Sequence, residues 1–251
     1  MCTVTFVPFR DGRDPALRIA CNRDESRQRG AGLPPRLRRF GDCRALLPVD
    51  PASGGTWIAV NDAGLVMVLL NQNSGSMPRR VGAPRLSRGL IIPSLLHCDN
   101  LHGAEKLACK LAHQPFAPFR LILASRTEVL EVSTATSQLQ IVQRPISDWP
   151  LLFTSSGLGD ALVEGPRRNL FRAWFQDVEG WVKKQDSFHR HSWPERPHLS
   201  VCMRRKDACT VSYTVIELRP LSAVMTYVPY APDEIGPSVT LTMNLKAVET
   251  A

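Results

Sequence analysis

The sequence predicts an α+β fold in which antiparallel sheets carry helices packed outside them. Three observations lead there. Apolar and polar residues alternate with the strand period of two across much of the first third. Helical spacing is confined to a few separate stretches between runs of strands. No glycine-rich nucleotide loop accompanies a strand–helix alternation, so a doubly wound sheet is not expected.

Residues 2–9 and 16–22 alternate around the turn Asp11-Gly12-Arg13-Asp14-Pro15 and read as a hairpin. Residues 56–60 and 65–71 flank Asn61-Asp62-Ala63-Gly64 and form a second hairpin, whose continuous apolar second strand implies burial on both faces. Between them, residues 27–51 are rich in arginine and proline and read as a loop. Helical spacing appears over 85–96, where Leu86, Leu90 and Ile91 share a face before Pro93, and again over 104–112. Strands follow at 119–124, 129–133, 139–143 and 151–154. A helix over 163–178 lines up Leu170, Phe171, Trp174 and Phe175. Residues 185–197 are polar and proline-punctuated and read as a surface loop, before closing strands at 200–203, 210–218 and 223–228.

The chain of 251 residues shows no linker or repeat, so residues 1–251 are expected to form a single domain. With 43% hydrophobic and 22% charged residues, the composition is that of a globular protein. No stretch approaches the roughly 20 apolar residues of a membrane span. No basic-then-apolar leader is visible, and cytoplasmic residence is the expectation. Seven cysteines, none in a CxxC pair, fit neither a disulfide framework nor a zinc site. A net charge of +8 comes mostly from arginine, with clusters at Arg36-Leu37-Arg38-Arg39, Arg167-Arg168 and Arg204-Arg205-Lys206. Lacking interleaved aromatics or a recognisable module, these read as solvated charges and not as a nucleic-acid surface.

Cys2 holds the greatest chemical interest. Its side chain is small enough for methionine aminopeptidase, so the mature chain is expected to begin there. An α-amine titrates at about 7.7–8.0, close to what a general base needs at neutral pH, and a thiolate is an intrinsically good nucleophile. One residue then supplies nucleophile and base, although a small apolar residue on a buried strand is the plainer alternative. The polar run Asn22-Arg23-Asp24-Glu25 leaves the second strand, and hairpin pairing is expected to bring Asp24 near Cys2 to orient the amine. Arg23 is expected on the opposite side of the strand from Asp24. His189, His191 and His198 cluster without a completing carboxylate or cysteine, so no metal site is expected. Gly54-Gly55 precedes a strand and reads as a turn leading into it.

Cys2, Asn22-Arg23-Asp24-Glu25, Gly54-Gly55-Thr56-Trp57 and Leu70-Asn71, in that order, resemble the NRDE family, that of the transport and Golgi organisation protein. That family in turn is similar to the cysteine-type N-terminal nucleophile (Ntn) hydrolases. The resemblance implies a four-layer αββα sandwich of two antiparallel sheets flanked by helices. It also implies attack by Cys2 on a linear amide through an acyl-enzyme, with Asp24 beside the cysteine and Asn71 donating to the oxyanion. Asn22, Arg23, Trp57, Ser155 and Ser156 are implied as substrate contacts. Three departures stand out. Cys21 replaces an arginine facing the thiol, residues 153–157 lack an asparagine, and residues 208–212 lack a late arginine.

Two functions follow from the resemblance. One is hydrolysis or transfer of an acyl group, with a small-molecule amide, acyl or lipid-like ligand and no cofactor. The alternative is a non-catalytic carrier of a lipid-like molecule or haem, in keeping with Golgi organisation, lipid homeostasis and haem movement among eukaryotic relatives. An interaction module docking an acidic partner through arginine is a third and weaker reading. Oligomeric state is left open.

Overall fold

The alternation at the start of the chain sorts side chains onto two buried faces, because successive strand residues point to opposite sides. The computed structural model describes residues 2–73, 86–134, 139–146, 149–177, 179–231 and 234–247. In β1 (Cys2–Asp11), Cys2, Val4 and Phe6 join one apolar cluster, while Val7 joins another on the opposite face. In β2 (Asp14–Ser26), Leu17, Ile19 and Cys21 join the first cluster. A two-residue turn connects the strands, with Asp11 opposite Asp14 and Gly12 at φ +64°. Hairpin turns this short need a positive φ, which glycine adopts without a Cβ clash.

Two antiparallel sheets result. The first runs β10 (Leu151–Thr154), β1, β2, β11 (Ala208–Leu218), β12 (Ser222–Ala231) and β13 (Glu234–Ile235), with β14 (Val239–Asn244) also on β12. The second runs in chain order through β3 (Leu33–Phe40), β4 (Cys43–Val49), β5 (Ile58–Asn61), β6 (Val66–Asn71), β7 (Phe119–Ala124), β8 (Glu128–Ser133) and β9 (Gln140–Pro145). Phe6, Ile19, Val60, Val68, Ile122 and Ile216 interlock between the sheets. Each such side chain contributes about 1.5–3 kcal/mol when fully buried.

Helices cover both outer faces. α1 (Ile91–Leu95) and α2 (Leu101–Ala112) close the second sheet through Leu95 and Ala108 on Met67 and Leu121. α3 (Asp160–Trp174) and α4 (Trp181–Arg190) close the first through Phe171 and Phe188 on Val7 and Leu152. The αββα sandwich is therefore present. β6 is apolar up to Leu70 because Val66, Val68 and Leu70 face the first sheet while Met67 and Leu69 face the helices. Among the described residues no helix is long and apolar enough to cross a membrane.

Three expectations are corrected. Residues 27–51 are not one loop but contain β3 and β4. β3 is an edge strand whose prolines and exposed arginines suit a side on which no further strand pairs among the described residues. Residues 185–197 begin inside α4, where Gln185 and His189 face inward and find hydrogen bonds in the core. Residues 200–203 are turns, since Cys202 N bonds back to His191 O and Ser200 O is taken by Arg167. Arg85 and Val178, at the limits of two expected helices, lie outside the described residues, and the later helix ends at Trp174.

The turn before β5 is fixed by close backbone approach. Gly54 has φ +67°, Thr56 N bonds to Gly89 O at 3.0 Å, and a Cβ on Gly55 would collide with the Gly89 backbone. Gly55→Ala is therefore expected to lower stability by about 1–3 kcal/mol in urea denaturation. Gly30→Ala, where a Cβ meets open space, is expected to stay within about 0.5 kcal/mol.

Candidate active site

Cys2 is gripped from both sides. On one flank Ser155 N donates to Cys2 O at 2.9 Å, and Cys2 N lies 3.2 Å from Ser155 Oγ as donor. On the other, Cys2 stands directly opposite Arg23 in the β1–β2 register. Directly opposed strand residues share a face, so Arg23 lies on the cysteine's side and Asp24 on the helix side. The sequence placed both correctly relative to each other, but expected Asp24 on the side of the thiol. A bulge in β11 serves both residues, since Thr210 opposes Asp24 while Ser212 opposes Arg23, with Val211 as the extra residue.

Cys2, Arg23, Trp57 and Asn71 line one cavity of about 410 Å³ between the ends of the two sheets. Its wall carries a four-membered ion network. Arg23 reaches Asp50 at 2.7 Å and Glu25 at 3.3 Å, and Arg29 reaches the same carboxylates at 2.8 and 3.5 Å. The Arg23 guanidinium lies 4.4 Å above the Trp57 ring, a cation–π contact. Both residues belong to the motifs that the sequence order had singled out, and both share the cavity wall with Cys2.

Asn71 ends β6, and two residues later Asn73 is tied across to the segment that follows β10. Asn73 N donates to Asp160 Oδ2 at 2.9 Å, and Asn73 Nδ2 donates to Ser156 O at 2.9 Å. Ser156 directly follows Ser155, so the clamp fixes Asn71 relative to Cys2. Ser156 itself is turned to α3, its N bonding Asp160 Oδ1 at 2.8 Å and its Oγ accepting from Leu158 N at 3.2 Å. Asn22 also faces away from the cavity, with Nδ2 donating to His189 O at 2.8 Å and Val201 O at 2.9 Å.

The Cys2 thiol pKa is lowered, chiefly because the Cys21 S–H donates to its sulfur, against burial that pushes it up; Asp24 raises it and Arg23 lowers it. The same contact, with burial, drives Cys21 well above the ordinary thiol value. Asp24 is pushed up by burial, opposed by Arg167 and by Thr210, whose Oγ1 donates to Asp24 Oδ1 at 2.6 Å.

Arg167 was read as a solvated charge and is instead 1% exposed. Its Nη1 donates to Thr3 Oγ1 at 2.8 Å and Thr154 Oγ1 at 2.7 Å, its Nε to Leu199 O and its Nη2 to Ser200 O. The overlooked signal is its place in α3, four residues after buried Val163 and four before buried Phe171. His189 is likewise interior, with Nε2 2.7 Å from Thr5 Oγ1 and a pKa lowered to about 3 by burial and then by Arg18 and Arg167.

A family model described as Transport and Golgi organisation 2 matches residues 1–189. The chain belongs to this family. No curated protein sequence matches. Two variants of conjugated bile acid hydrolase from Clostridium perfringens superpose at TM-scores of 0.54 and 0.52 with 12% and 13% identity, covering all of this chain and 100% and 98% of theirs. An N-acylethanolamine-hydrolyzing acid amidase orthologue from Caenorhabditis elegans gives 0.54 and 12%, over 86% of this chain and 92% of its own. This member of the Transport and Golgi organisation 2 family thus has the fold of Ntn-type hydrolases.

Arg167→Met would remove four buried hydrogen bonds and leave their acceptors without that donor, and is expected to cost about 3–5 kcal/mol in chemical denaturation. His189 gives a signed pH dependence. Its folded pKa lies below the unfolded value of about 6.5, so its contribution is complete above that pH and fades as pH falls towards 3. Urea midpoints should therefore fall with acidity over that window, and His189→Gln should flatten the fall.

Proposed function

We propose that this protein is an amide hydrolase or acyl transferase whose nucleophile is Cys2, exposed as the amino-terminal residue after removal of Met1. The observation that carries this reading is the position of one residue. Cys2 lines the cavity that also holds Asn71, while its backbone nitrogen lies 3.2 Å from Ser155 Oγ. The free amine formed at that nitrogen takes the thiol proton. The thiolate attacks the amide carbon, and negative charge develops on the carbonyl oxygen with Asn71 as donor. The amine then returns its proton to the leaving group, and water or an acceptor amine releases the acyl group.

Ser155 orients the amine by accepting its hydrogen bond, and Asp24 acts from the opposite face of the sheet through its charge. Arg23 and Trp57 form the wall against which the substrate lies. Neighbours named for hydrolysing conjugated bile acids and N-acylethanolamines support an amide of a small molecule as the substrate class. A wall of ion pairs favours this reading over carriage of a lipid-like molecule or haem. All seven cysteines are free, which favours a reducing compartment such as the cytoplasm.

Intact-mass analysis of the protein, alone and after an electrophilic acyl probe, tests the proposal. Loss of Met1 and a single acyl adduct on Cys2 are expected, with no adduct on Cys2→Ala. Retention of Met1 would remove the proposed base, and equal labelling of Cys2→Ala would reject the nucleophile. Asn71→Ala is expected to slow acylation about 10²–10³-fold while leaving the thiol alkylable by iodoacetamide.

A further inference from the structure

We infer that Cys2 and Cys21 form a redox couple, a site that reacts with hydroperoxides and closes reversibly to a disulfide. Both thiols point into the space between the sheets, since Cys2 and Cys21 belong to the same inter-sheet cluster. In the β1–β2 register Cys2 opposes Arg23 and Cys21 opposes Val4, so the cysteines are diagonal neighbours on adjacent strands. Side chains at such positions are within reach of each other. The two differ in access. Cys2 forms part of the cavity wall, whereas Cys21 is fully buried and lies behind it.

This asymmetry matches the division of labour in a peroxide-sensing pair, an accessible attacking thiol beside a sheltered resolving one. Proton affinity divides the same way. The Cys21 S–H hydrogen bond favours the Cys2 thiolate, and Cys21 keeps its own proton. The Cys2 thiolate attacks the distal oxygen of the hydroperoxide, the O–O bond breaks, and an alcohol leaves after taking up a proton. Cys2 is then a sulfenic acid. Cys21 gives up its proton and attacks the Cys2 sulfur, and the S–O bond breaks with release of water. Two thiols are oxidised by two electrons and one hydroperoxide is reduced to alcohol and water.

A disulfide places its Cα atoms about 5.5–6 Å apart, whereas diagonal neighbours begin at about 7–8 Å. Closure therefore draws Cys2 inwards. Cys2 is the first residue of β1, and among the described residues its cross-strand ties run to Arg23 and to Ser155, so closure has to loosen these two ties while Thr3 stays held by Arg167. The disulfide would occupy the sulfur that attacks the amide. That consequence rests on the function proposed above, while the oxidation itself does not.

The test is peptide mapping of the full chain before and after hydrogen peroxide, and again after a dithiol reductant. The expected result is a peptide linking Cys2 to Cys21, lighter by two hydrogens than the separate thiol peptides and restored by the reductant. Cys21→Ala is expected to give no link and to accumulate sulfenic acid on Cys2, trapped by dimedone, and then sulfinic acid. Oxygenation of Cys2 in the wild-type protein without a Cys2–Cys21 link would overturn the inference, whether or not the variant folds. So would an unchanged map. Acyl labelling of Cys2 without the link would sink the redox couple alone, and the link without acyl labelling would sink the acyl chemistry alone.

Discussion

The site depends on one buried cation. Arg167 crosses from α3 to the first sheet and spends its donors on Thr3, Thr154, Leu199 and Ser200. Thr3 follows Cys2, and Thr154 precedes Ser155, so the guanidinium braces both strands that hold the cysteine. A charge in this position persists because four hydrogen bonds hold the guanidinium and Asp24 lies within electrostatic reach. The helix layer, the two strands and the segment before β11 are thereby bound at one point. Apolar packing alone, being non-directional, would not fix that alignment.

Around this brace, the sheet divides the chemistry between its faces. The thiol, Arg23 and the cavity lie towards the second sheet, whereas Asp24, Thr210 and Arg167 lie towards the helices. The Cys2 backbone nitrogen stands at the boundary, held by Ser155. Carboxylate and nucleophile therefore do not meet through side chains pointing at each other. Their electrostatic influence passes through the sheet, where burial keeps it less screened than at the surface. Asn71 belongs to the other sheet altogether, and the Asn73 clamp to Ser156 and Asp160 sets its separation from the thiol.

Much of this was legible because strand periodicity is local. Alternation in residues 2–9, the apolar run before Asn71 and the short turns announce both hairpins without knowledge of their neighbours. The fate of polar residues was less legible. Arg167 and His189 look solvent-facing by type, yet each sits on the inward stripe of a helix and finds partners on β1. Gln185, bonded to Thr5, breaks the apparent surface loop in the same way. Pro34 and Pro35 suggested a loop because proline is excluded from central strands, but an edge strand tolerates it.

The sequence by itself determined the antiparallel character of the fold, the hairpins, and the ordered motifs that single out Cys2, Arg23, Asp24, Trp57 and Asn71. Neighbouring residues in a strand must face opposite ways, so Arg23 and Asp24 were already separated by local geometry. Only the tertiary structure decided which of them shares the thiol's side. That depends on register, which pairs Cys2 with Arg23, and on a bulge opposite them in a strand nearly two hundred residues away. Tertiary packing likewise set Cys21 beside Cys2 on the face between the sheets, and Arg167 behind them on the helix side. Such choices come from contacts remote in sequence, where no local periodicity can carry the information.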